Sequence, residues 1–406
     1  MLYCKYCGSA NADGSHYCEM CGGELEERDS SHAAAPASSG EAPAHRENDD
    51  LHDAPVRDKA DKGTAGGAMP QSGPSGSKKT FLLIGSVAAF FAVLVSFGLF
   101  LLSGVAYKLP GGERDMATVV GFLSPSSDYN LVAIFKALFA MQSVSGVIYN
   151  LQALFAVAAV LSTFISLFVY LIMGIVRLVA AVKGKNHAKI GKTAVGAFTS
   201  YLAGMLLLNC VLLGNLTGLN KAALAGLCLS GILVGVNLLM RLLASENMKK
   251  ALLPAALFLG VIVVGAVIAG LASSLTFKSG DYKVNMVLLF IQTVTASSSY
   301  SGNILQMIAP EIGLVAVITL ISCGANLVRR ALLQIGAAAD DTAEKRSGLA
   351  DAISGLIFSI LFMVSYYFIG GAKIFIRGIA EPVTILVFTI VAIVLVAVGK
   401  KFTKQR

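Results

Sequence analysis

TFLLIGSVAAFFAVLVSFGLFLLSGV, residues 80 to 105, runs without one charged side chain. Coiled as a helix at about 1.5 Å per residue, it exceeds the roughly 30 Å of a bilayer's hydrocarbon core. Comparable apolar runs recur at approximately 153 to 176, 193 to 214, 222 to 243, 252 to 275, 311 to 333, 349 to 370 and 382 to 399. The fold class expected is an all-α polytopic membrane protein of about eight transmembrane helices.

Composition agrees with this reading. Of 406 residues, 55% are apolar and only 14% charged, and the mean hydropathy is +0.72. One water-soluble core cannot absorb that apolar excess, so the bilayer is the main solvent. Charge is unevenly placed: residues 1 to 77 carry 6 basic and 13 acidic side chains, residues 78 to 406 carry 26 and 11. Basic loops are retained on the cytoplasmic side. With both termini inside, 18 basic residues fall at inner positions and 8 outside, so a multi-pass protein of the cell membrane with cytoplasmic N- and C-termini is expected. No charged start leading straight into an apolar stretch occurs in the first 79 residues, as a signal peptide would need.

Ahead of the first span lie two further segments. Residues 26 to 79 are dominated by Ala, Ser, Gly, Pro, Asp and Glu and cannot bury enough surface to fold, which makes them an acidic disordered linker. As a flexible coil this linker would span about 40 Å on root-mean-square average. Residues 1 to 25 hold Cys4-Lys-Tyr-Cys7-Gly8 and Cys18-Glu-Met-Cys21-Gly22, two C-x2-C knuckles separated by ten residues. Two cysteines three apart on a tight turn can aim both sulfurs at one ion, and two such knuckles close a tetrahedral structural site. A segment of 25 residues needs such a staple to fold. Two disulfides are the alternative, disfavoured in the cytoplasm. His16 stands near Cys18, but four thiolates already satisfy zinc.

With the aromatic Tyr17 before the third cysteine and the closing Gly22-Gly23, this segment resembles the short zinc-ribbon domains at the N-termini of many bacterial membrane and regulatory proteins. The resemblance covers residues 1 to 25 and implies structural Zn2+ on Cys4, Cys7, Cys18 and Cys21, with no activity attached. It departs from the family in Lys5-Tyr6 and Glu19-Met20, which stand where Pro- and Lys-containing pairs are common.

The membrane part carries an internal likeness. Laying residues 128 to 201 over 281 to 354, a shift of 153, pairs Asp128 with Asp281, Tyr129 with Tyr282, Ser145 with Ser298, Asn150 with Asn303, Arg177 with Arg330 and Lys192 with Lys345. Polar matches at one register within apolar sequence point to a parallel 4+4 repeat, one half at 80 to 250 and the other at 251 to 406. Each half has a long outer segment, 106 to 150 and 276 to 310. Within these, Val132 to Met141 and Val284 to Val294 are expected at the outer interface or as re-entrant pieces. Asp128, Tyr129, Asp281 and Tyr282 are candidates for helix capping or for an outer site between the halves.

No P-loop, H-E-x-x-H helix, G-x-S-x-G elbow or dinucleotide fingerprint occurs, and no enzyme is expected. Arg177, Arg241, Arg329, Arg330, Glu311, Asp351 and Glu381 sit near the ends of the expected helices, where charges snorkel to the interface and anchor. Asn209, Asn237 and Asn326 lie within spans, as interhelical hydrogen-bond partners. Cys210, Cys228 and Cys323 lie in apolar runs as small packing residues.

Partners expected are membrane lipid and a cytoplasmic protein held through the ribbon; homo-oligomers are left open. Nucleic acid is disfavoured, because residues 1 to 25 offer Lys5 against Asp13, Glu19 and Glu24, and four thiolates on zinc add negative charge. The function expected is an interaction or regulatory module that recruits a protein partner to the membrane. The alternative is a channel, exporter or lipid-handling transporter built on the repeated helices.

Overall fold

A computed structural model describes residues 2–3, 10–11, 76–108, 114–124, 144–184, 187–212, 216–245, 248–279, 282–296, 304–340 and 348–404. The chain divides into two units, Met1–Met69 and Pro70–Arg406. In the first, β1 (Leu2–Tyr3) pairs antiparallel with β2 (Ala10–Asn11), Leu2 opposite Asn11.

The second unit contains eight helices long and apolar enough to cross a membrane. In chain order its elements are α1 (Gly76–Leu102), β3 (Gly104–Lys108), β4 (Arg114–Thr118), α2 (Val119–Leu123), α3 (Val144–Val182), α4 (His187–Leu212), β5 (Leu216–Leu219), α5 (Lys221–Ala244) and α6 (Met248–Ser273). They continue with β6 (Thr276–Ser279), β7 (Tyr282–Asn285), α7 (Met286–Ala296), α8 (Ile304–Ala339), α9 (Leu349–Gly378) and α10 (Ala380–Lys404). All eight expected spans fall on α1, α3, α4, α5, α6, α8, α9 and α10. Seven of these eight helices begin ahead of their apolar runs, α3 the most, at Val144. Pro254 and Pro310 are each the seventh residue of α6 and α8, past the first turn, so each removes one bond to the carbonyl four residues earlier from the ladder.

The long helices form two rings. Helix α1 packs on α3, α3 on α4, α4 on α5, and α5 back on α1, with α1 also touching α4 across the ring. In the second ring α6 packs on α8, α8 on α9, α9 on α10, and α10 back on α6. The rings meet where α4 lies against α8 and α6, and α5 against α8. Helix α4 is the hub: 72% of its most apolar window is buried, against 28 to 44% for the other spans. Side chains turned away from these contacts, such as Ile165, Val176, Ile232 and Leu252, are apolar and exposed, as a lipid-facing surface requires.

Three features outside the spans differ from the expectation of helix and loop alone. Strands β3 and β4 form a hairpin directly after α1, and β5, inside the turn between α4 and α5, pairs with the other edge of β3. Strands β6 and β7 form a second hairpin directly after α6. Each hairpin leads without a break into a short helix, α2 or α7. Thr118 caps α2, its Oγ1 accepting from the Gly121 amide at 3.0 Å. The stretch expected at Val284 to Val294 is thus the end of β7 followed by α7, which packs on α8 and α3 with Met286, Val287 and Ile291 buried. Val132 to Met141 lies outside the described residues.

Each ring closes a tyrosine on a phenylalanine near the end of its first long helix, at positions that the shift of 153 does not relate. Tyr201 of α4 packs its ring on Phe100 near the end of α1, centroids 6.1 Å apart, while Tyr366 of α9 packs on Phe277, just past the end of α6, at 5.1 Å. Arg177, late in α3, donates to Thr193 Oγ1 and, at 3.0 Å, to the Lys189 carbonyl at the start of α4. Arg330, late in α8, donates at 2.5 Å to Asp351 at the start of α9. The hairpins follow a different register, since Arg114 opens β4 and Tyr282 opens β7, a longer shift than the 153 that joins Arg177 to Arg330.

Candidate functional site

Four helices bring polar side chains together at one end of the seam between the rings. Asn237 and Arg241 are four apart on α5 and share a face, as do His187 and Gly191 at the start of α4 and Gly336 and Asp340 at the end of α8. Helix α1 adds Gly85 and Ser86.

Arg241 donates from Nε to Asp340 Oδ1 at 3.2 Å, and from Nη2 to Asp340 Oδ2 and to the Gly336 carbonyl at 3.0 Å. Its side chain is 4% exposed and that of Asp340 23%. The sequence reading of Arg241 as a snorkelling anchor is therefore corrected: the guanidinium turns into the seam. It can do so because both walls are glycine. A Cβ at Gly336 would stand 2.8 Å from Arg241 Nη1, and one at Gly191 would stand 2.8 Å from the same nitrogen and 2.7 Å from Asn237 Oδ1. A guanidinium held this way is desolvated, and the carboxylate and carbonyl replace its lost water.

Asn237 donates from Nδ2 to the Gly85 carbonyl at 2.7 Å, joining α5 to α1. Its Oδ1 is buried with no hydrogen-bond partner among the described residues. Beside it, Ser86 Oγ lies 2.8 Å from the Leu82 carbonyl and 2.8 Å from His187 Nδ1, joining α1 to α4. At the opposite end of α4, Asn209 donates from Nδ2 to the Ser273 carbonyl at 3.3 Å and to Ser273 Oγ at 3.2 Å. The seam thus has an ionic clamp at one end and a neutral, fully buried clamp at the other. Asn209 and Asn237 take the interhelical role expected of them.

Cys4, Cys7, Cys18, Cys21, Asp128, Tyr129 and Asp281 lie outside the described residues, and Tyr282 opens β7 opposite Ser279. Cys210 and Cys323 are buried thiols outside any disulfide and Cys228 is an exposed one. Among the described residues no group of three or more His, Cys, Asp or Glu side chains is placed to hold a metal ion. The Arg241 clamp was missed in the sequence because an arginine near a helix end reads as an anchor; its signal is the Asn237–Arg241 pair on one face of an otherwise apolar helix. Set against protein-family models, curated proteins and solved structures, the chain matches none.

Proposed function

We propose that this protein is a membrane-anchored regulatory module whose N-terminal zinc ribbon captures a cytoplasmic protein and holds it at the bilayer. The C-x2-C-x10-C-x2-C spacing at Cys4, Cys7, Cys18 and Cys21 carries the reading. Its four thiols form a donor set complete for tetrahedral zinc, leaving no position for a reactive water, so the metal would supply folding and no reaction. The linker confines a bound partner near the membrane, raising its effective concentration. On the membrane side, α4 fills the centre of the helical unit and its Asn209 is spent on a helix-to-helix bond, as suits an anchor. In this reading both termini are cytoplasmic in the cell membrane.

The test uses the full chain in native membranes, with a photo-crosslinker in place of Lys5. Partner capture should be lost with Cys7→Ser and kept with substitutions in the membrane unit. Capture indifferent to Cys7→Ser, or absent in the unaltered ribbon, overturns the proposal.

A second reading takes the membrane unit as a parallel 4+4 repeat working as a channel, exporter or lipid-handling transporter. It is favoured by Arg177 and Arg330, which keep the shift of 153 and each stand late in the second long helix of their ring. Asp128, Tyr129, Asp281 and Tyr282 would then belong to outer segments of the two halves. Flux through liposomes holding the chain without residues 1 to 75 separates this reading from the first.

A further inference from the structure

The two clamps on the seam differ in chemistry in a way that gives the seam a direction of opening. At the Asn209 end the bonds are neutral, and both partners are buried, 8% and 2% exposed. Such a contact has no water waiting to replace it, so opening there strands amide and hydroxyl groups in an apolar surround. At the Arg241 end the carboxylate partner is nearly a quarter exposed and follows the last turn of α8. Water already reaches Asp340 and can solvate it as it leaves. The guanidinium's own seat is walled by Gly191 and Gly336, which offer it no side chain, and beside it lies a buried acceptor without a partner among the described residues, Asn237 Oδ1. Water entering the seat gives that oxygen the bond it lacks.

We propose that the Arg241–Asp340 pair is a latch: the two helix rings part at this end of the seam when it releases, pivoting about the Asn209–Ser273 clamp at the other. Gly191 and Asn209 lie 18 positions apart on α4, about 27 Å along a helix, so a small rotation at the pivot becomes a larger gap at the latch. The latch does not depend on the ribbon or on the repeat. It gives the membrane unit two states, which a captured partner or a transported ligand would each be able to bias.

The experiment follows thiol modification site by site in the full chain in lipid nanodiscs, by mass spectrometry. The thiol of Leu332→Cys, at a position 8% exposed and one turn before Gly336 on the face of α8 that carries Gly336 and Asp340, reports the latch end, and native Cys210, 2% exposed beside Asn209, reports the pivot. Asp340→Asn should raise modification of the Leu332→Cys thiol about tenfold, as expected if an open state near 1% becomes one near 10%, while Cys210 stays protected. Asp340→Glu, which keeps the charge, should leave both close to the unsubstituted level. Equal modification at both sites, or no change at the latch end, overturns the proposal. Should Asp340→Asn fail to fold, the chain bearing Leu332→Cys alone decides: the latch end must react faster than Cys210, and equal protection refutes the pivot.

Discussion

Tyr201 lays its hydroxyl against Gly226 so closely that a Cβ on that glycine would overlap the phenol. The same hydroxyl lies 2.5 Å from Ser103 Oγ and donates to the Ala223 carbonyl at 3.2 Å, so one ring ties α4 to α1 and α5. Gly226→Ala gains about 1 kcal/mol of helix propensity but overpacks a full contact at about 1 to 3 kcal/mol. A net loss of stability is expected in denaturant unfolding in detergent, and a smaller loss when Tyr201→Phe is present. Equal losses in the two backgrounds would show that the hydroxyl does not set the contact.

Removing one partner of a desolvated ion pair costs about 3 to 5 kcal/mol. Because Asp340 retains some water, the lower end of that range is expected for Arg241→Ala. A double-mutant cycle with Asp340→Ala should return a coupling of at least about 1 kcal/mol, since residues in contact are not additive. A coupling near zero would mean that the geometry does not store the attraction.

Zinc content provides the third check. The purified full chain is expected to hold one zinc per molecule, lost on treatment with a strong chelator and largely absent in Cys7→Ser. Full metal content in that variant would dismiss the four-cysteine assignment.

Sidedness can be read with an impermeant thiol reagent on intact cells. The thiol of Ser279→Cys, at the tip of the β6–β7 hairpin, should react from outside, whereas that of Lys183→Cys, in the turn between α3 and α4, should react only after the membrane is opened. The opposite pattern inverts the topology derived from the basic residues.

Much of the fold was legible along the chain. Each span announces itself by a run such as Thr80 to Val105, since the cost of placing a segment in lipid is nearly a sum over its own residues. Gly104–Lys108 and Thr276–Ser279 were not legible as strands: each is short, follows a span at once, and owes its pairing to a second short segment that carries no strong signal of its own. Asn209 and Asn237 could be read as interhelical donors because an amide in a span must find some partner; which partner could not be read.

The sequence by itself determined the number of membrane-crossing helices, the acidic segment ahead of them and the four-cysteine spacing, all properties of contiguous residues. Tertiary structure alone decided that Arg241 is buried rather than at the interface. Its partner Asp340 stands 99 residues away, and its seat exists only because Gly191 and Gly336, on two other helices, leave room for a guanidinium. Hydropathy is local, whereas the desolvation of a charge is settled by what surrounds it in space.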